Sequence, residues 1–237
     1  MVEGVTFDFW NTLMKERDAA KTARLRLQRI EEVLLHRGFK REENEVKNAM
    51  RKSWEIAAYK QRACGYDITP RGHVELMLQF LSLPAFPELT EEMYAAYTTV
   101  LKEEKPVLND GAKEVLDYLK GRCRLGLICN TGATPGVILR EFMREHGIFD
   151  YFDIILFSDE MKWAKPNPLI FTYALKEMNV SCSRSVHVGD DPLTDVIGAK
   201  KAGMKAAWLA PYADWPVPEC DWHLRELIAL MNIVDES

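Results

Sequence analysis

Asp8, Lys165 and the Asp190-Asp191 pair are the residues whose types and surroundings could carry a reaction in this chain. Asp8 closes the apolar run Val5-Thr6-Phe7. A carboxylate at the carboxyl end of a buried strand can attack phosphorus and form an aspartyl-phosphate. Further along stand Lys165-Pro166-Asn167-Pro168 and, after a second apolar run, Gly189-Asp190-Asp191 with Asp195 beyond. A lysine of this kind would offset repulsion between an anionic nucleophile and an anionic substrate. Plainer readings exist for each: Asp8 as a simple strand end, Lys165 as a solvated cation in a proline-bounded turn, Gly189-Asp190-Asp191 as a helix-capping turn, Asp195 as a local cap or pair.

The elements that must position these residues are legible as alternating patterns. Five short apolar or β-branched runs predict buried strands: Val5–Phe9, Leu125–Cys129, Ile154–Phe157, Val186–Val188 and Ala206–Leu209. From residue 107 onward they alternate with helical stretches. One is capped by Asn109 or Asp110, one opens at Thr134-Pro135, one at Asn167-Pro168, and one runs from Pro192 to Ala202. Strand–helix alternation with continuous apolar strands implies a doubly wound parallel α/β sheet, Rossmann-like, with ligands at the carboxyl ends of its strands. Asp8, Asn130, Ser158 and Asp190 all fall at or just past such ends. Residues 15–106 differ, reading as four helices: Asp18–Arg37, Glu42–Ala63, Thr69–Phe80 and Thr90–Glu104. The expected division is a core of residues 1–14 and 107–237 with an inserted α-helical cap at 15–106, hinged near Lys15–Arg17 and Pro106.

Bulk properties narrow the partners. The 237 residues are 47% apolar and 28% charged, enough for a sizeable core, and the net charge of −5 provides no global attraction for nucleic acid or an anionic membrane. An anionic substrate must therefore find local cations. No stretch approaches a membrane span, and the chain opens almost directly on its first strand without a signal core. The five cysteines, at 64, 123, 129, 182 and 220, are odd in number and form no CxxC pair, so reduced thiols in a cytoplasmic protein are expected. The histidines show no ligand spacing.

Taken in order, Asp8-Phe9-Trp10-Asn11-Thr12, Cys129-Asn130-Thr131, Lys165-Pro166-Asn167-Pro168 and Gly189-Asp190-Asp191 with Asp195 resemble the four motifs of the haloacid dehalogenase superfamily, which consists mostly of phosphatases. The resemblance covers the whole expected core, and the helical insert is similar to the cap of subfamily I. It implies a Mg²⁺-dependent phosphohydrolase acting on a small phosphorylated metabolite, as a monomer or homodimer. Asp8 would be nucleophile and metal ligand, Asp190 a ligand, and the backbone carbonyl at Trp10 another. Lys165 would act as the electrostatic clamp, with Cys129, Asn130 and Thr131 around the phosphate. Asp191 and Asp195 would orient the ion's waters or Lys165.

Two positions depart from the pattern. Cys129 replaces the usual phosphate-binding hydroxyl, and a thiol is a poor donor, although Thr131 offers a hydroxyl nearby. Trp10 replaces the second aspartate, which in the family protonates the leaving alkoxide and later activates water. An indole N–H can only donate, so position 10 cannot perform that exchange. The dehalogenase branch carries an aromatic residue there and needs no metal, but its last motif lacks the acidic pair retained here. A 2-haloacid dehalogenase using Asp8 and a non-catalytic phosphometabolite-binding protein are the alternatives to phosphoryl chemistry. Arg17, Trp54, Tyr59 and Lys60 are the cap residues expected to face a substrate.

Overall fold

The structure, a computed structural model, describes residues 1–161, 163–215 and 217–236; Ser237, the last residue of the expected core, lies outside them. Strand β1 (Gly4–Phe7) leads through a short loop to β2 (Met14–Lys15). Four helices follow, α1 (Ala19–His36), α2 (Glu43–Cys64), α3 (Pro70–Phe80) and α4 (Pro87–Thr98), before β3 (Val107–Leu108) pairs antiparallel with β2. Alternation then resumes with α5 (Ala112–Leu119), β4 (Arg124–Cys129), α6 (Gly136–Glu145), β5 (Ile154–Phe157), α7 (Pro168–Met178), β6 (Ser185–Gly189), α8 (Gly198–Lys201), β7 (Lys205–Leu209), β8 (Trp222–Leu224) and α9 (Leu230–Glu236).

The six-stranded sheet has the order β5-β4-β1-β6-β7-β8 with every pairing parallel. Strand order reverses at β1, whose Phe7 pairs with Leu127 on one side and Val188 on the other. The carboxyl end of β1 is therefore a topological switch point, where connections diverge and leave a crevice. Both faces are covered, as continuous apolar strands require. Along β4, Leu127 and Cys129 join a layer with α5, α6 and α9, while Ile128 joins the opposite layer with α7 and α8. A third apolar cluster, including Ile30, Leu34, Val46, Val74, Met77, Leu89, Met93 and Tyr97, is built mainly on α1–α4 and takes in Ala133 from the turn after β4.

All five expected strands are present, and Gly38, Gly65, Gly147 and Gly203 stop their helices with positive φ. Several local readings need correction. The fourth insert helix begins at Pro87 rather than Thr90, since a proline at its first turn has no N–H to lose. It ends at Thr98, and the chain continues as a 3₁₀ turn at Val100–Lys102. Gly111, at φ 76°, precedes α5 in place of an asparagine or aspartate cap. Asn109 instead donates its side-chain amide to the carbonyls of Asn11, at 2.7 Å, and Thr12, at 3.2 Å, tying down the loop that follows β1. The stretch from Pro192 opens as a π-helical turn to Ile197 before α8, a widening that often accompanies functional sites. The β2–β3 ribbon and the edge strand β8 were too short to give a periodic signal.

Phe171 on α7 is fully buried and sets its ring edge-on to His187 at a centroid distance of 4.9 Å, linking the helical layer to β6. Phe171→Ala should destabilise the chain by about 3–5 kcal/mol through lost transfer energy and a residual cavity. Chemical denaturation should show a lower midpoint with an unchanged slope.

Candidate active site

Asp8 is the first residue beyond β1, and its N–H donates to the carbonyl of Val188 at 2.8 Å. This bond extends the β1–β6 pairing by one residue and places the carboxylate at the crevice. Lys165 reaches the same point from the loop before α7. Its Nζ lies 2.5 Å from Asp8 Oδ1 and 2.7 Å from Asp195 Oδ1, and the side chain is only 2% exposed. Asn130, just past β4, fixes the lysine backbone on both sides. It accepts from Lys165 N–H at 3.0 Å and donates to Lys165 C=O at 2.9 Å.

Behind the lysine runs a buried hydrogen-bonded line. His187 Nε2 lies 3.2 Å from Asp195 Oδ1, and His187 Nδ1 lies 2.8 Å from Thr6 Oγ1. Both contacts are satisfied when Nε2–H donates to Asp195 and the threonine hydroxyl donates to Nδ1. Asp195 Oδ2 accepts from the Asp191 N–H at 2.9 Å. The approach is close enough that a Cβ on Gly189 would stand 2.2 Å from Asp195 Cγ, so only glycine fits there.

Asp190 faces the same crevice. Its carboxylate accepts from Asn11 Nδ2 at 3.0 Å, and its carbonyl accepts from the Trp208 indole at 2.8 Å. Asp8, Asp190 and Asp195 each place a carboxylate oxygen within 4.8 Å of the others. One ammonium cannot neutralise three carboxylates at this separation. Burial, opposed by Lys165 and reinforced by Asp195 and Asp190, pushes the Asp8 carboxyl up to about 8. Burial and the neighbouring Asp195 push Asp190 up to about 6. Burial alone would also raise Asp195 and lower Lys165. Their contact reverses both, holding Asp195 below the usual carboxylate range and Lys165 above the usual ammonium range. Burial leaves His187 below its ordinary value, consistent with a neutral ring.

The remaining predicted site residues are placed less uniformly. Cys129 is fully buried in the core layer shared with α5 and α6, its thiol pushed up by burial, and it does not line the cleft. The Asn130 amide is committed to Lys165. Thr131 donates its N–H to Ser158 Oγ at 2.9 Å, and its hydroxyl meets Asp67 Oδ2 at 3.4 Å. Asp67, in the loop between α2 and α3, also accepts from Ser158 Oγ and, at 2.6 Å, from Gln61. Asp191 caps the π-turn by accepting from Leu193 N–H at 2.8 Å and Thr194 N–H at 2.9 Å, and its other oxygen lies 3.5 Å from Arg62. It does not touch Lys165.

The crevice opens into two adjoining cavities beneath α1 and α2. One, about 270 Å³, is lined by Asp8, Asn11, Lys165, Asp190 and Arg62 among others. The second, about 260 Å³, is lined by residues that include Glu16, Arg26 and the 131–134 turn. Trp10, Trp54, Gln61 and Asn130 border both. Trp10 thus forms a wall between them, its ring packed edge-on against Phe9 at 4.9 Å. Of the expected cap contacts, Trp54 lines the cleft; Arg17, Tyr59 and Lys60 are exposed and line neither cavity. Sequence reasoning missed Glu16, Arg26, Gln61 and Arg62, which only the packing of the insert helices brings to the strand ends.

The crevice thus combines a parallel sheet that presents an aspartate, a buried lysine and an acidic cluster at its switch point with helices above it. The family model for haloacid dehalogenase-like hydrolases matches residues 2–203, and the chain belongs to that family. The pyrimidine 5′-nucleotidase YjjG of Escherichia coli (strain K12) is 36% identical over 100 residues, 42% of this chain and 43% of its own. A glyceraldehyde 3-phosphate phosphatase of Pyrococcus abyssi is 34% identical over 140 residues, 57% of this chain and 56% of its own. The chain thus spans about half the length of these relatives. The crystal structure of a 2-haloacid dehalogenase from Pseudomonas syringae pv. Tomato shares the fold, with a TM-score of 0.74 at 23% identity over 100% of this chain and 99% of that one. So does a magnesium-bound hydrolase, YfnB, from Bacillus subtilis, at 0.69 and 18% identity over 99% of both chains. Among the described residues no helix is long and apolar enough to cross a membrane.

Two measurements probe this geometry. Asn130→Ala removes both clamps on the Lys165 backbone and should slow hydrolysis of an aryl phosphate at least about tenfold, as misplaced reacting groups do. Cys129→Ala, which removes a thiol outside the cleft, should leave KM for the same ester unchanged. The second concerns pH. Below about pH 4 the Asp8 carboxyl is protonated in folded and unfolded chains alike. Between that point and about 8 the folded chain keeps a proton that the unfolded chain releases, so stability falls as pH rises. In chelator, denaturation midpoints should therefore decline from about pH 5 to about pH 8 more steeply for the wild type than for Asp8→Asn.

Proposed function

We propose that this protein is a Mg²⁺-dependent phosphohydrolase that acts on a small phosphorylated metabolite through an aspartyl-phosphate intermediate. The observation that carries the reading is Lys165 Nζ wedged between Asp8 and Asp195 with Asp190 close by, so that one ammonium faces three carboxylates. Such a cluster is suited to a phosphate dianion only if additional positive charge arrives. Oxygen ligands at this spacing fit a hard divalent cation, and the upward pull on Asp8 and Asp190 marks the deficit it would relieve. The carboxylates of Asp8 and Asp190 and the backbone carbonyl of Trp10 would hold the ion, which when bound neutralises phosphate charge.

In this reading Lys165 orients Asp8 through one oxygen, and the other, which accepts no hydrogen bond from any described residue, attacks phosphorus in line with the departing ester oxygen. Water then cleaves the aspartyl-phosphate and restores the carboxylate. Asn130 acts by fixing Lys165 rather than by touching phosphate. His187 and Thr6 hold Asp195, which keeps the ammonium in place. Residues 15–106 act as a cap that restricts water and selects the substrate. The two cavities lie at or below the roughly 300 Å³ lower bound typical of drug-sized ligand sites, which favours a small metabolite.

No carboxylate stands at position 10 to protonate a leaving alkoxide, so activated esters should react faster than alkyl phosphates. Trp10→Asp should therefore raise turnover of alkyl phosphates more than that of aryl phosphates, and an equal effect on both would mean position 10 is not the missing acid.

The aromatic side chain of Trp10 also favours one other reading, attack by Asp8 on carbon in a 2-haloacid. Phosphate and chloride release measured side by side, with Mg²⁺ and with chelator, separates the two. The phosphohydrolase reading expects phosphate release lost on chelation. Chloride release that survives chelator would replace it.

A further inference from the structure

Among the described residues, Arg26 is the one arginine, lysine or carboxylate residue of the insert that is buried. It lies on the inward stripe of α1 with Thr22, Ile30 and Leu34, and is 7% exposed. Its Nε donates to the Tyr97 carbonyl at 3.0 Å, and its guanidinium carbon sits 5.4 Å from the centre of the Tyr97 ring. No described carboxylate comes within 4.0 Å, and neither Nη hydrogen-bonds to a described residue. Glu16 attracts it from beyond ion-pair distance, and the groups packed closest add polarity without charge. His73 Nε2 is buried and unpartnered, the Tyr97 hydroxyl is buried beside the Trp54 side chain, and burial, followed by the charge of Arg26, pushes His73 down to about 4. A leucine or methionine would complete the apolar stripe at lower desolvation cost. A buried cation without a partner is expensive, and Arg26 faces the 260 Å³ chamber that adjoins the one holding Asp8.

We infer that this chamber is the subsite for the far end of the substrate, and that Arg26 selects phosphomonoesters carrying a second anionic group, carboxylate or phosphate, on a short chain. The inference rests on the phosphohydrolase reading and extends it to a substrate class. With the reacting phosphate at Asp8, the rest of the molecule passes the wall formed by Trp10 and Trp54, and its distal anion meets the two unpaired Nη groups. Thr134 lines the same chamber and is almost fully buried, adding a hydroxyl. Glu16 also lines it, but only partly buried and beyond ion-pair distance of the guanidinium. Glu16 is more exposed than Arg26, so desolvation weighs on the arginine and the arginine sets the preference. A substrate with a distal ammonium would meet Glu16 instead and is the opposing case.

Two steps test this. The first compares kcat/KM for 3-phosphoglycerate, glycerol 3-phosphate and phosphoethanolamine, with fructose 1,6-bisphosphate against fructose 6-phosphate to separate a distal carboxylate from a distal phosphate. The wild type should favour the distal anion over the matched neutral ester by at least about tenfold, the scale of a charge-assisted hydrogen bond. Arg26→Gln should bring that ratio close to one, and Arg26→Lys should restore part of it. A wild-type ratio near one, a ratio unchanged in Arg26→Gln, or a preference for phosphoethanolamine would each overturn the inference. The second step is calorimetric binding of 3-phosphonopropanoate and propylphosphonate to the wild type, which needs neither turnover nor a folded variant. Absence of turnover on every ester would reject the phosphohydrolase reading alone; equal affinities for the two phosphonates would reject the role of Arg26.

Discussion

A single ammonium buried among three carboxylates is the constraint on which the site depends. Lys165 is held by Asp8 and Asp195 from the side chain and by Asn130 from the backbone. Asp8 and Asn130 follow β1 and β4, Asp195 lies in the π-turn after β6, and the parallel sheet brings them together. A buried ammonium without such partners would give up its proton or draw in water. The hydrogen bonds from His187 and Asp191 to Asp195, the glycine at 189 and the π-turn after Asp191 all bear on that one contact.

The same arrangement leaves negative charge in excess at the crevice. In the proposed reaction that excess is useful, since it creates demand for a divalent cation beside a nucleophile already oriented by lysine. The insert helices press close over it. Trp54 stands where a Cβ on Gly132 would collide at 2.6 Å, Asp67 engages Ser158 and Thr131, and Gly65 C=O accepts from Ala164 N–H at 2.9 Å. These contacts join α2 and the α2–α3 loop to the sheet ends and partition the space beneath them.

Much of this was legible in the sequence. The five buried strands, the helical block between the first two, and the order of Asp8, Lys165 and Asp190-Asp191 follow from apolar runs, turn residues and the position of charges at strand ends. What was not legible depends on side-chain direction and long-range packing. Asn130 stands where a phosphate contact was expected, yet its amide spans the Lys165 backbone. Cys129 follows the strand alternation into the core. Thr6 and His187 are interior residues of neighbouring strands, and only parallel registration makes them the support of Asp195. Arg26 gives no signal in the sequence because its burial arises from Tyr97 and the helices packed around the chamber. Asn109 departs from the expected cap because its side chain bonds the loop after β1, whereas an asparagine before a helix usually caps it.

In the proposed reaction Asp8 attacks phosphorus and carries the phosphoryl group. Rapid acid quench during turnover of an aryl phosphate with Mg²⁺, followed by peptide mass spectrometry, tests it most directly. The expected result is the mass of one phosphoryl group on Asp8, absent in Asp8→Asn. Phosphate release at an undiminished rate from Asp8→Asn, with no phosphorylated Asp8 peptide in the wild type, would contradict it.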